Sequence, residues 1–183
     1  MPATIMPVKT SFKPFKKQHG FTLFELVVVI LLVGVFMSFA IDRMLRIQID
    51  AERVSVQQTI AALKSAIHLQ TADMVVSKGL DSIKTLENTN PMNYLQELPY
   101  NYLGLKNDSQ ASLYQSASWY YDPKQNILVY TVKNVNYFVT SLPGTPRIRL
   151  KIDAVYQGEN KSKDKIRGVS LKSMDDYFWK HDL

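Results

Sequence analysis

From Phe21 to Ile41, only Thr22, Glu25, Gly34 and Ser38 interrupt a continuous run of apolar side chains. As a helix at about 1.5 Å per residue the run extends roughly 32 Å, close to the ~30 Å hydrocarbon core of a bilayer. A charge inside such a run costs about 2.5–3.5 kcal/mol at the bilayer centre and less toward its ends, so Glu25, one turn in, requires a role. The stretch Lys16-Lys17-Gln18-His19-Gly20 leads straight into the run. A cleaved secretory signal has a shorter apolar core, about 7–15 residues, followed by a small-residue cleavage site. Ala40-Ile41-Asp42 is a poor version of that site. A plain membrane anchor fits the length but explains neither the Gly20-Phe21 junction nor Glu25.

Lys-Lys-Gln-His-Gly followed by Phe-Thr-Leu-Phe-Glu resembles the class III signal of type IV pilins and type II secretion pseudopilins. The resemblance covers about residues 16–45. It implies cleavage by a prepilin peptidase between Gly20 and Phe21, N-methylation of Phe21, and an assembly role for Glu25 at the fifth mature position. Two features depart from the family pattern. The twenty-residue leader is long, although Met6 offers a second start, and no proline follows the apolar run. In that family the subunit capping a pseudopilus tip lacks the glutamate, so Glu25 implies a subunit with a neighbour above it. The Asn90-Pro91-Met92 region with Ser118-Trp119-Tyr120-Tyr121-Asp122 is loosely similar to minor pilins of mannose-sensitive haemagglutinin systems.

The leader also dominates the charge balance. Lys9, Lys13, Lys16 and Lys17 supply four of the six net positive charges, so a chain starting at Phe21 carries +2. Basic pI is therefore no argument for a nucleic-acid partner. Lysines flanking a membrane helix favour the cytoplasm, which keeps the N-terminus inside and exports the bulk of the chain. The chain has no cysteine, so an exported domain must hold by core burial without disulfides. Thiolate catalysis and cysteine zinc sites are excluded with it.

The helix is expected to continue far beyond the apolar run. No proline occurs between Pro14 and Pro91, and no glycine between Gly34 and Gly79. Leu45, Ile49, Val56, Ile60, Leu63, Ile67 and Met74 recur at steps of three, four and seven, one amphipathic stripe. Arg46, Asp50, Glu52, Arg53, Gln57, Lys64 and Gln70 are assigned to the opposite, solvated face. Gly79 is the natural stop, because glycine tolerates the left-handed backbone that ends helices.

Residues 79–117 form a connecting region without clear period. Asn90-Pro91 supplies an N-cap and first-turn pair for a short helix. Tyr94, Tyr100 and Tyr102 are read as packing a loop against a sheet. From Ser118 the pattern is β: a hairpin turning at Asp122–Asn126, a strand over Val135–Thr140, then Ile148, Leu150, Ile152 and Ala154 alternating with Arg147, Arg149, Lys151 and Asp153. A last strand is expected over Ile166–Lys172.

The chemistry available is narrow. Cleavage would leave Phe21 with a cationic α-amine, and a neighbour's Glu25 could face it in a staggered bundle. At 4 Å and an effective dielectric near 20 that attraction is about 4 kcal/mol before desolvation. The bland alternative is Glu25 snorkelling to the headgroups. His19, His68 and His181 make no metal-ligand spacing, and no nucleophile elbow or phosphate-binding glycine loop occurs. Asp153, Glu159, Asp164, Asp175 and Asp176 match no calcium loop. Lys161, Lys163, Lys165 and Arg167, with Arg147, Arg149 and Lys151, could in principle meet DNA. Asp153, Glu159 and Asp164 interleave with them, so a solvated sheet face is the better reading.

The expected architecture is α+β, a long N-terminal helix, its first half transmembrane, packed on a C-terminal antiparallel sheet. The expected organisation is a leader over 1–20, a transmembrane and assembly segment over 21–41, and an exported domain over 42–183. That domain comprises helix 42–78, the connecting region 79–117, the sheet 118–172 and a tail 173–183. The expected function is a non-catalytic minor pilin or pseudopilin, with no cofactor and no metal. By resemblance its partners are other pilin subunits, prepilin peptidase, an inner-membrane assembly platform and membrane lipids. It would sit single-pass in the inner membrane, N-terminus cytoplasmic, and in a filament after assembly. The competing expectations are a filament-mounted binding protein for adhesion or DNA uptake, and a plain anchored exported domain.

Overall fold

The computed structural model describes residues 20–158 and 165–180, apart from the side chain at position 42. The leader before Gly20, the loop residues Glu159, Lys161, Lys163 and Asp164, and His19 and His181 lie outside the described residues. The chain divides into two units, Met1–Met44 and Leu45–Leu183.

Helix α1 spans Leu23–Lys78. It stops where the sequence places the first glycine after Gly34: Gly79 has φ +87°, a conformation that side chains with a Cβ resist, and its N–H still closes on Val75 O at 3.1 Å. In the first unit every residue of the apolar run is exposed, and the helix is long and apolar enough to cross a membrane. Within the second unit the amphipathic stripe is buried at Ile49, Val56, Leu63 and Ile67, with Ile60 and Met74 at its margins. Leu45 stays half exposed, so the stripe begins one turn later than its periodicity suggests.

The sheet that covers this stripe has five strands in the order β1-β2-β3-β5-β6: β1 Tyr102–Leu105, β2 Ser118–Asp122, β3 Ile127–Thr131, β5 Arg147–Tyr156 and β6 Ile166–Ser173. Period-two alternation sends Trp119, Tyr121, Leu128, Tyr130, Ile148, Leu150, Ile152 and Ala154 toward α1. The hairpin between β2 and β3 turns at the predicted residues, with Asp122 opposite Ile127. Asn90 caps the predicted short helix, a 3-10 turn over Pro91–Tyr94, by accepting the Met92 N–H at 3.1 Å.

Four features differ from the pattern reading. Strand β1 lies in the connecting region and pairs parallel to β2, so the sheet is not a pure antiparallel meander. Its four residues are too few to show a period, and Gly104 sits among them. The Val135–Thr140 segment splits into a 3-10 turn, Val135–Tyr137, and strand β4, Phe138–Thr140. Strand β4 pairs with β7, Tyr177–Trp179, from the stretch read as a tail, in a separate two-stranded sheet. Finally, the far face of the sheet is not wet at β2 and β3, whose residues are all buried. The turn Asp108–Leu113 lies over that face, and Ala111 forms a second small core with Tyr120, Ile127 and Val129.

Candidate functional site

The residues singled out by the sequence meet at the start of α1. Gly20 precedes the helix and is exposed, with nothing within 4 Å of the position its Cβ would take. Phe21 is exposed as well. Thr22 is the N-cap: its Oγ1 accepts the Glu25 N–H at 3.2 Å, and its carbonyl accepts the Leu26 N–H at 3.1 Å. Thr22-Leu23-Phe24-Glu25 thus has the Thr-x-x-Glu spacing of a capping box, in which a first-turn carboxylate also complements the positive helix end. This local role of Thr22 is legible in the sequence by that spacing.

Beyond the cap, Leu23, Phe24, Leu26 and the aliphatic residues up to Phe39 and Ile41 remain exposed. Fully burying one such side chain is worth about 1.5–3 kcal/mol, so the first unit has a strong drive to enter an apolar medium or a helical bundle. Within it the Glu25 carboxylate is the one ionisable side chain between Gly20 and Ile41. The site is therefore a greasy rod with one charge near its capped end.

The second unit contains buried polar groups that no period in the sequence reveals. Glu52, assigned above to the solvated face, is only 9% exposed. Its Oε1 accepts the Lys133 N–H at 2.7 Å and the Tyr130 hydroxyl at 3.0 Å, and its Oε2 accepts the Asn134 N–H at 3.0 Å. Burial, with the Glu52 carboxylate adding to it, pushes the Tyr130 phenol upward. Sequence reading missed Glu52 because its partners lie about eighty residues away in the chain.

The charged face of β5 is also not solvated throughout. Arg147 forks onto Asp108, Nε to Oδ1 at 2.9 Å and Nη2 to Oδ2 at 3.0 Å, and Tyr120 donates to the same Oδ1 at 2.8 Å. Burial first, then the Asp108 hydrogen bond, push the Tyr120 phenol up. Asp122, fully buried, accepts the Asp108 N–H at 2.7 Å and the Lys124 N–H at 2.8 Å, tying the covering turn to the hairpin. Arg149 forks onto Asp175 with two bonds of 2.7 Å, and those bonds hold the Asp175 carboxyl below its ordinary value. Both arginines are thus occupied by carboxylates, and Asp175, one of the acids weighed for calcium, is bound to a guanidinium. Among the described residues no cluster of three His, Cys, Asp or Glu has metal-binding geometry. Of the tyrosines read as loop packing, Tyr94 bonds Thr89 and Tyr102 bonds Asn90, whereas Tyr100 is wholly exposed.

Residues 15–41 match the family model of the prokaryotic N-terminal methylation motif. The chain is 32% identical over 87 residues to the type II secretion system core protein G of Vibrio cholerae serotype O1, a match covering 45% of this chain and 60% of that protein. No solved structure matches the chain.

Proposed function

The methylation motif and the similarity to a type II secretion core protein support a member of the type IV pilin and pseudopilin family, and from that premise we propose a non-catalytic minor pilin or pseudopilin. A prepilin peptidase cuts between Gly20 and Phe21, and the new Phe21 amine is methylated. The N-terminus stays on the cytoplasmic side of the inner membrane, and the second unit is exported. Subunits then pass from the membrane into a filament, with an assembly platform and other pilin subunits as partners.

The observation that carries this reading is the capped helix start followed by a wholly exposed apolar run with one acid in its first turn. In the bilayer the run is covered by lipid; in a filament it is covered by neighbouring helices. Glu25 neutralises the Phe21 amine of the adjacent subunit and fixes the axial register that apolar contacts specify poorly. Thr22, as the cap, holds Glu25 in the first turn of α1.

Intact-mass measurement of the chain co-produced with a prepilin peptidase tests the processing step. The product should begin at Phe21, carry one added methyl group, and disappear in favour of the full chain when Gly20 is replaced by a bulky residue. Gly20→Ala should still be cut in part. A full-length, unmodified wild-type chain beside an active peptidase would remove the proposal.

A further inference from the structure

In the exported unit a cavity of about 360 Å³ opens between the Tyr100–Leu103 segment, the Gln115–Ser118 loop and Lys133. Its floor is fixed by backbone ties. Asn101 Nδ2 donates to Ala117 O at 2.6 Å, the Ala117 N–H to Thr131 O at 2.7 Å, and Thr131 Oγ1 to Gln115 O at 2.8 Å. Ala117 is held at φ +58°, a left-handed conformation that a glycine would adopt without strain, and such outliers gather at ligand clamps.

The rim is as open as the floor is fixed. The Tyr100 side chain has the full exposure of an isolated residue, 101%. Gln115, Ser116 and Lys133 are exposed around it, and among the described residues their side chains bond no protein group. The far side of Tyr100 borders a second hollow of about 410 Å³, between Ser55, Thr59 and Ala62 of α1 and the segment before Asn101, with Glu97 in its lining. Tyr100 is therefore a ridge between two depressions.

A bare aromatic face flanked by amide and hydroxyl donors suits a ligand with an apolar C–H face and many hydroxyls. The first hollow is lined by one cation and no carboxylate. A single cation without a track of others argues against a nucleic-acid backbone, which needs several. Its volume lies in the range of about 300–1,000 Å³ typical of small-ligand sites, and Glu97 in the second hollow directs an acidic group to the Lys133 side of Tyr100.

We propose that the hollow beside Tyr100 binds an acidic saccharide, one ring stacked on Tyr100, its hydroxyls on Gln115 and Ser116, and its carboxylate on Lys133. This site is independent of how the chain is processed or assembled. The test uses the full chain in detergent micelles, with trigalacturonic acid and maltotriose as probes, read by calorimetry and saturation-transfer NMR. The wild type should bind trigalacturonic acid at least tenfold more tightly than maltotriose. Tyr100→Ala should weaken trigalacturonic acid at least tenfold, and Tyr100→Phe should keep binding within about threefold, since the ring face carries the contact. Lys133→Ala should bring the two probes within twofold of each other. Both positions are exposed, and Lys133→Ala retains the backbone N–H that Glu52 accepts, so folding should be unchanged by circular dichroism. Failure of the wild type to bind trigalacturonic acid, or unaltered binding by Tyr100→Ala, would overturn the site. Loss of co-purifying pilin subunits on Tyr100→Ala without any saccharide binding would also overturn it, and would make Tyr100 a protein contact.

Discussion

Glu52 Oε2 accepts two hydrogen bonds from Asn134, the backbone N–H at 3.0 Å and the side-chain Nδ2 at 2.6 Å. One carboxylate on α1 thereby closes the turn that follows β3, and with the Lys133 N–H it satisfies two consecutive backbone donors. Glu52→Ala leaves the buried Tyr130 hydroxyl without its acceptor, at about 1–3 kcal/mol, and the part-buried Lys133 and Asn134 N–H groups to water. The second unit should lose roughly 1–3 kcal/mol, measured as the change in denaturant midpoint at constant slope. Glu52→Gln keeps one oxygen acceptor and should lose less. Equal stability of Glu52→Ala and wild type would mean that water replaces the carboxylate without cost.

The Asp108–Arg147 pair is more enclosed, its side chains 5% and 12% exposed. Removing one partner of a buried pair costs about 3–5 kcal/mol, because the other is left uncompensated. Asp108→Ala should cost this much and should also free the Tyr120 hydroxyl, loosening the turn over the far face of the sheet. The double variant with Arg147→Met should recover part of the loss. Additive single and double effects in the cycle would show that the two groups are not coupled.

The Arg149 hydrogen bonds hold Asp175 below the usual carboxylate range. Its stabilising contribution is complete above about pH 4, the ordinary value, and is lost as pH falls through the lower folded-state value. Asp175→Asn should therefore be less stable than wild type at pH 7, by about 1 kcal/mol. The two should converge near pH 2. Parallel thermal melts across this range would test it, and a gap that persists undiminished at low pH would contradict the ion pair.

Glu25→Gln separates insertion from assembly. Glutamine is also accepted at the third position of a capping box, so the helix start should be preserved while the charge is removed. Membrane insertion should be unchanged or slightly easier, and cleavage after Gly20 should persist. Incorporation into sheared filaments should fall at least tenfold, which corresponds to a loss of about 1.4 kcal/mol. Normal incorporation would assign register to helix packing alone.

The N-terminal segment was legible because its information is local. A membrane-length apolar run, one acid placed a turn inside it and a helix-stopping glycine each act through residues close by in the chain, and each has its effect in any fold. The alternation of Arg147–Ala154 was equally readable, since one strand with a buried face must show period two. Other features depended on groups distant in sequence. Whether Glu52 faces water or the Lys133-Asn134 turn, and whether Arg147 is solvated or held by Asp108, depends on which segments the folded chain brings together. The same is true of β7, which becomes a strand because β4 offers it an edge. Hydrophobic periodicity reports how far a side chain is removed from water, and a polar group buried with all its partners breaks that pattern without any sign in its own neighbourhood. Local spacing determined the rod and its charge; tertiary pairing decided which carboxylates are buried and what they hold.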